Sequence, residues 1–377
     1  MIIIEKVDTN SNRQVNSFVQ FQYDLYKGVP QFCPPFFNDI KLMLNKSKHP
    51  FYEHSDGDFL VAKQDGKIVG RLGIFVNNSF NEYHKTKKAH FYLFECINDQ
   101  EVANKLFETA FAWCKERGLD EVVGPKGLAA FDGYGVLVEG FEHRQMMIMM
   151  NYNYEYYPKL LEAIGFEKEV DFVSCYVHAR NFNIPPKVKE VARRVKERGN
   201  FKVLTFKSKR RMMIDWADEI GQAYNDTFIN NWEYYPLSKA EVKLLVDNLL
   251  VVADPKLVKI ITYNDKIVGF LLAFPDITAA LQRHGGKLTP FALIDIGLEL
   301  KKSKWVSING AGVLPEFQGR GGMALLYDEM EKTIKDFEFI HGEMTQVAET
   351  AVQMRKDLIN LGGQPYKNHR VYHKKIV

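Results

Sequence analysis

Two periodicities alternate along the chain. Short runs of β-branched and aromatic residues mark strands, and apolar residues three and four positions apart mark helices. The spacing predicts a strand at Ile2–Val7, then a helix with Val15, Phe18, Val19, Leu25 and Tyr26 on one face. A strand–turn–strand unit follows: Phe59–Lys63, the turn Gln64-Asp65-Gly66, and Lys67–Phe75. His90–Cys96 reads as a strand, and Glu101–Arg117 as a helix whose apolar face holds Val102, Leu106, Phe107, Ala110, Phe111 and Trp113. Gly118 ends that helix, because glycine takes the left-handed C-terminal conformation at little cost, and Glu121–Val123 is a short strand. An irregular glycine-rich stretch then leads to a helix at Tyr156–Ile164, stopped by Gly165, and a strand at Asp171–His178. Pro185 and Pro186 open a charged helix, Lys187–Arg198, which reads as a connector.

The second half repeats the first. Asn264–Phe274 (NDKIVGFLLAF) echoes Asp65–Phe75 (DGKIVGRLGIF) at an offset of 199, and Leu358–Gly362 echoes Leu161–Gly165 at an offset of 197. Both halves carry the order β-β-α-β-α-β, which is the mark of a tandem duplication of one α/β unit. The expected domains are 1–184, a helical connector 185–200, and 201–377.

The second copy adds a stretch that the first lacks. Trp305–Asn309 opens as a strand, Val313 and Leu314 continue it, and Pro315 ends regular pairing. Gln318-Gly319-Arg320-Gly321-Gly322 comes next, and Met323, Ala324, Leu325, Leu326, Met330 and Ile334 then fall at helical spacing. A glycine turn running into a helix presents unpaired N–H groups and the positive end of the helix dipole, which together suit a phosphate. Arg320 adds a fixed cation. Neither G-x-x-x-x-G-K-[ST] nor a dinucleotide G-x-G-x-x-G with its later acidic residue is present.

This stretch resembles the pyrophosphate loop of the GNAT superfamily, the acyl-CoA-dependent N-acyltransferases, whose pattern is Q/R-x-x-G-x-G/A after a strand ending in V-x-P. Val313-Leu314-Pro315 and Gln318-Gly319-Arg320-Gly321 match, but the last small residue is Met323 here. That larger side chain either crowds a pyrophosphate or points into the core behind the loop. Gly124-Pro125, Gly135–Phe141, Met146–Tyr157 and Glu162–Phe166 look like a bacterial two-domain GNAT-like family of about this length. The resemblance implies a mixed α/β (α+β) sheet fold in two tandem GNAT-like domains. It also implies that Gly310–Leu314, with Gly312, Val313 and Leu314, would hold the pantetheine of acetyl-CoA or another acyl-CoA. Gln318, Gly319, Arg320, Gly321, Gly322 and Met323 would hold the pyrophosphate. At the equivalent place the first half reads Cys96–Glu101 with two acids and no glycine, which would repel phosphate and marks that domain as degenerate for coenzyme.

Composition narrows the class further. The 377 residues carry 50 basic and 47 acidic side chains, a net charge of +3, which argues against a nucleic-acid partner. The basic runs 85–88, 193–198 and 207–211 read as solvated faces. Cys33, Cys96, Cys114 and Cys175 show neither a disulfide framework nor metal-ligand spacing, so no metal is expected. With no signal-like opening and no run of eighteen apolar residues, a cytoplasmic protein without a membrane partner is expected.

Amine acylation needs a proton acceptor and a donor for the departing thiolate. Alternation along Phe339–Glu349 puts His341, Glu343 and Thr345 on one face, with Glu343 the first choice of base and Glu349 the second. The tyrosine that the GNAT resemblance leads one to expect four residues before the last helix's glycine is Leu358 here, leaving Tyr372 and Tyr327 as substitutes. Gln31–Phe37 and Trp232–Pro236 are either packed connectors or acceptor-site loops, and Met146–Tyr157 either core or cavity lining. The reading is an N-acyltransferase, first an N-acetyltransferase, acting on a small-molecule or peptide amine. The alternatives are an aminoacyl-tRNA-dependent transferase and a non-catalytic CoA-binding module.

Overall fold

The computed structural model describes every residue except 130, 131, 147–149, 205, 207, 209–218, 220, 224, 230 and 377, with backbone alone at 249–252. Residues 147–149 of the methionine stretch and 207 and 209–211 of the last basic run therefore lie outside the described residues. In chain order the first half holds β1 (Ile2–Lys6), α1 (Asn12–Leu25), α2 (Phe37–Met43), β2 (Asp56–Gln64), β3 (Lys67–Val76), α3 (Asn78–His84), β4 (Lys88–Cys96) and α4 (Gln100–Glu116). β5 (Glu121–Gly124), β6 (Val136–Glu139), α5 (Tyr157–Ile164) and β7 (Glu167–His178) complete it. The second half holds α6 (Pro186–Arg198), β8 (Phe201–Leu204), α7 (Lys239–Val252), β9 (Val258–Tyr263), β10 (Lys266–Pro275), α8 (Thr278–His284) and α9 (Pro290–Lys302). It ends with β11 (Trp305–Val313), α10 (Gly322–Asp336), β12 (His341–Ala348), α11 (Val352–Asn360) and β13 (Gln364–Lys375).

These elements form two compact units that are not contiguous in sequence. Unit 1 takes Met1–Phe172, Thr278–Gly297 and Lys367–Val377, and unit 2 takes Val173–Ile277 and Leu298–Tyr366. In unit 1 the strands run β1-β2-β3-β4-β5-β13, with β6 also on β13, and in unit 2 they run β12-β11-β10-β9-β8. All neighbours are antiparallel except β4 with β5 and β11 with β12, so each sheet is mixed. α6, read from sequence as a connector, lies within unit 2, and the last strand from Lys367 onward lies in unit 1.

The duplication is visible in the irregularities as well as in the order. Each unit contains a hairpin whose turn residues take positive φ: Asp65 and Gly66 in one, Asn264 and Asp265 in the other. That conformation matches the twist of the flanking strands, and Asp, Asn and Gly adopt it readily. The ladder slips once inside each hairpin, at Ala62/Lys63 and at Ile267/Gly269. It slips again on the other side of the same strand, at Arg71/Gly73 and at Leu271/Ala273. Gly165 and Gly362 close equivalent helices with φ of 90° and 93°.

Both cores are built as the periodicity demands. In unit 1, α4 buries Val102, Leu106, Phe107, Ala110 and Trp113 against Leu72, Ile74 and Phe91 of the sheet. In unit 2, α10 buries Leu325, Leu326, Met330 and Ile334 against Leu271, Val306 and Val313. The Gln31–Phe37 loop packs most of its side chains inward, while Gln31 lines a cavity with Tyr152, Tyr154 and Tyr156. Phe32, Cys33 and Phe36 are buried, and Gln282 donates to the carbonyls of Pro30 and Phe32. Phe37 N–H donates to Gly286 O at 3.0 Å.

Candidate functional site

The parallel pair in unit 2 defines the site. β11 and β12 are in register only from Trp305/His341 to Ile308/Met344. β11 continues against β10 on its other side as far as Val313, while Thr345 Oγ1 donates to Ile308 O at 3.3 Å just where the pairing with β12 stops. Gly310 takes φ 85° in the adjoining slip. The β11–β12 pairing therefore ends at Ile308, and among the described residues no strand pairs with the β12-facing edge of Gly310–Val313, which is the geometry that an extended polar chain needs to add as a strand. Gly312 is required there, since a Cβ would stand 2.1 Å from Thr227 Cγ2.

The glycine turn follows directly. Gln318 Nε2 donates back to Val313 O at 3.2 Å, and the Arg320 guanidinium stands 5.1 Å from the Phe317 ring centre. Gly321 is the N-cap of α10 in the left-handed conformation, φ 90°, and no side chain caps the helix. A Cβ at Gly321 would lie 2.5 Å from Val195 Cγ2 of α6, so the turn is glycine by conformation and by contact. Met323 is half-buried and packs against the core of unit 2. The first copy is the opposite case. α4 is capped by Asp99, whose carboxylate accepts from the N–H groups of Glu101 at 2.8 Å and Val102 at 3.5 Å. Its N-terminus already holds an anion of its own.

Glu343, paired across the ladder with Ser307, has no exposed surface, and the Tyr366 hydroxyl donates to its Oε2. His341, two residues earlier on the same face, stacks on Trp305 at 4.5 Å and meets the Tyr176 hydroxyl through Nδ1 at 2.8 Å. Burial, then the neighbouring His178, holds His341 below the usual histidine value. Tyr176 also touches the ring of Tyr366 at 6.0 Å, so these groups form one cluster in unit 2. Tyr366 and Tyr176 were not found from the sequence, because cross-strand partners leave no local spacing.

The other candidates fall elsewhere. Glu349 sits in the turn before α11 and lines a cavity of about 460 Å³ with Val173, Cys175, Arg355 and Ile359. Tyr327 on α10 points its hydroxyl at Met354 Sδ, 3.7 Å away, and burial raises its pKa. Leu358 is buried in a small apolar cluster. Tyr372 lies in unit 1, buried, with its hydroxyl donating to Glu162 at 3.1 Å, so it does not share a unit with Glu343 and the loop. Tyr235 of the WEYYP stretch is buried and donates to Glu241 at 2.9 Å.

Unit 1 holds a polar network that the sequence did not announce. Glu95 accepts from Tyr26 and Tyr157, both at 2.7 Å, and from Gln22 at 2.6 Å. Arg71, fully buried, donates to Phe18 O and Gln22 and stands 3.9 Å from Glu95. Burial pushes Glu95 up and Arg71 down, and each opposes the other's shift. Glu121, Glu169 and His373 of the same unit bring ligand-type atoms within 4.8 Å of one another, with Lys88 3.6 Å from Glu121.

With this geometry in hand, known proteins place the fold. It is the tandem GNAT fold. A tandem GNAT protein from the clavulanic acid biosynthesis pathway, without AcCoA, superposes with a TM-score of 0.57 at 10% identity, covering 100% of this chain and 99% of that one. A GCN5-related N-acetyltransferase from Anabaena variabilis ATCC 29413 gives 0.52 at 9% identity over 100% of this chain and 73% of that one. By sequence the chain is 25% identical over 372 residues to Protein YghO of Escherichia coli (strain K12), covering 97% of this chain and 94% of that protein. It is 26% identical over 371 residues to the bacterial ceramide synthase of Caulobacter vibrioides (strain NA1000 / CB15N), covering 96% and 95%. No family model matches the chain.

Proposed function

We propose that the chain is an N-acyltransferase that moves an acyl group from acyl-CoA to an amine. The observation that carries this reading is the uncapped, glycine-built N-terminus of α10 at the end of a strand whose pairing with β12 ends at Ile308. The pyrophosphate would meet the N–H groups of Gly319–Met323 and the Arg320 guanidinium, and the pantetheine would lie along Gly310–Leu314. The amine nitrogen attacks the thioester carbonyl, a C–N bond forms, the C–S bond breaks, and CoA leaves as a thiol. Glu343 is the proposed acceptor of the ammonium proton, acting through water because its carboxylate is buried. The thiolate needs no strong acid, since a thiol pKa near ~8.5 lets water protonate it. Unit 1 is proposed to bind no coenzyme, because Asp99 occupies the N-terminus of α4. A ceramide is an amide of a long-chain amine, so the Caulobacter relative's name makes long-chain amines the acceptors to try first.

Calorimetric titration with CoA, acetyl-CoA and a long-chain acyl-CoA tests the donor side, alongside an Arg320→Ala, Gly321→Glu variant. Micromolar binding that the variant loses, followed by amine-dependent thiol release, is the expected result. Absence of binding by the intact protein would withdraw the reading. Binding without thiol release across an amine series would leave a CoA-binding module.

A further inference from the structure

Within unit 2, α11 roofs a cavity of about 460 Å³. That lies in the range of ligand pockets, roughly 300–1,000 Å³. Side-chain alternation sets the cavity on the reverse face of the strands from Glu343. Tyr176 and Tyr366 belong to the Glu343 cluster, whereas their chain neighbours Cys175 and Pro365 line the cavity. On β12 the neighbour of Glu343, Met344, packs with Cys175 and Leu358. The cavity is therefore separate from the groups assigned to proton transfer.

Its chemistry divides in two. The floor is aliphatic and thiol: Cys175 and Leu358 are buried there, with Val173 half-buried beside them. Val352 and Ile359, 57% and 50% exposed, carry the aliphatic surface out to the rim. No aromatic ring lines the cavity, so a planar ligand finds nothing to stack on, and an alkyl chain is the better fit. The cations come from the same stripe of α11, since Arg355 and Lys356 stand between Val352 and Ile359 at helical spacing. Neither makes an ion pair or a side-chain hydrogen bond among the described residues. Glu349 is the one acid of the lining, and Asp357, the acid of α11, accepts from Gln353 at 2.9 Å. Burial pushes the Cys175 thiol up to about 11, and the nearby Arg355 guanidinium opposes that rise. Arg355, half-buried, thus holds its charge over the floor without a carboxylate of its own. A partly desolvated guanidinium in that position favours an anion, and its fork suits a carboxylate.

We propose that this cavity binds a single-chain fatty acid, with its carboxylate on Arg355 and Lys356 and its alkyl tail over Val173, Cys175 and Leu358. The inference goes beyond acyl transfer and does not rest on it.

The test is calorimetric titration of the full chain with acetate, octanoate, decanoate and dodecanoate, and with decanol. Affinity should rise roughly threefold for each added CH₂ until the cavity is filled, and decanol should bind roughly tenfold more weakly than decanoate. Two variants accompany it, Arg355→Glu with Lys356→Glu, and Val352→Ser with Ile359→Ser. Each should lose roughly tenfold on decanoate while CoA titration stays as in the intact protein. Failure of the fatty acid site and failure of the acyl-CoA reading are thus separate results. If the serine variant unfolds early, the charge variant and the chain-length series decide. No decanoate binding by the intact protein, or binding that a folded variant leaves unchanged, would overturn the proposal. So would acetate binding as tightly as decanoate, which would mean an anion site without a tail pocket.

Discussion

Glu343 and His369 are each fully buried, and each makes a different prediction about protonation. If Glu343 accepts the amine proton, Glu343→Gln should lower kcat by about 10²- to 10⁴-fold while CoA titration stays as in the intact protein. Tyr366→Phe, which removes only a donor to Glu343, should cost less. A Glu343→Gln protein with undiminished turnover would make the carboxylate structural. Glu343 could be read from strand alternation, but Tyr366 could not, because it sits on another strand 23 residues away. His369 is held by Asn151 O at 2.9 Å from Nε2, which fixes the proton on that nitrogen, and burial pushes its pKa down to about 4. Its neutral form is favoured by the fold, so its contribution is complete above the ordinary histidine value and is lost as pH falls from there through the folded value. That limb is worth roughly 3 kcal/mol, and His369→Gln should flatten it in denaturant unfolding measured across the pH range. An unchanged acid limb would place the pH dependence elsewhere.

At the scale of elements, α4 and α10 are the same helix of the duplicated unit with opposite beginnings. Asp99→Ala should cost unit 1 about 1 kcal/mol by removing a cap, and should create no CoA site, because the glycine turn is still missing. Gly321→Ala forces a Cβ into the left-handed region and against Val195, which should cost roughly 1–3 kcal/mol. Unfolding midpoints and a CoA titration of both variants check the pair. An Asp99→Ala protein that gained a second CoA site would refute the view that the turn and not the cap decides. Both helices were legible within one or two residues, because caps and the 3.6-residue period are written locally. The hairpin turns were legible for the same reason. The direction in which α9 faces was not. Its apolar residues fit a core stripe as well as a surface one, and only the packing of Ala292, Ile296 and Glu299 tells them apart.

For the whole molecule the decisive feature is where the chain's last segment goes. The duplicated order suggested a division along the sequence, with 201–377 as one domain, but strand pairing between distant segments is set by contacts that no local pattern encodes. From Lys367 the C-terminal strand belongs to unit 1, where Tyr372 to Lys375 pair with Gly124 to Glu121 and Val371, Tyr372 and Ile376 are buried. A chain ending at Tyr366 therefore loses a strand, its ladder and three buried apolar side chains from unit 1, and nothing from the inner strands of unit 2. Three such side chains are worth several kcal/mol at roughly 1.5–3 kcal/mol each, comparable with the whole stability of a domain. Hydrogen exchange of the truncated chain should show protection lost in β2, β3 and β4 and kept in β9, β10 and β11. Protection retained in unit 1 would mean that β13 is dispensable to it. Equal loss in both sets would mean that the two units unfold as one cooperative body, so that neither copy of the duplication is stable without the other.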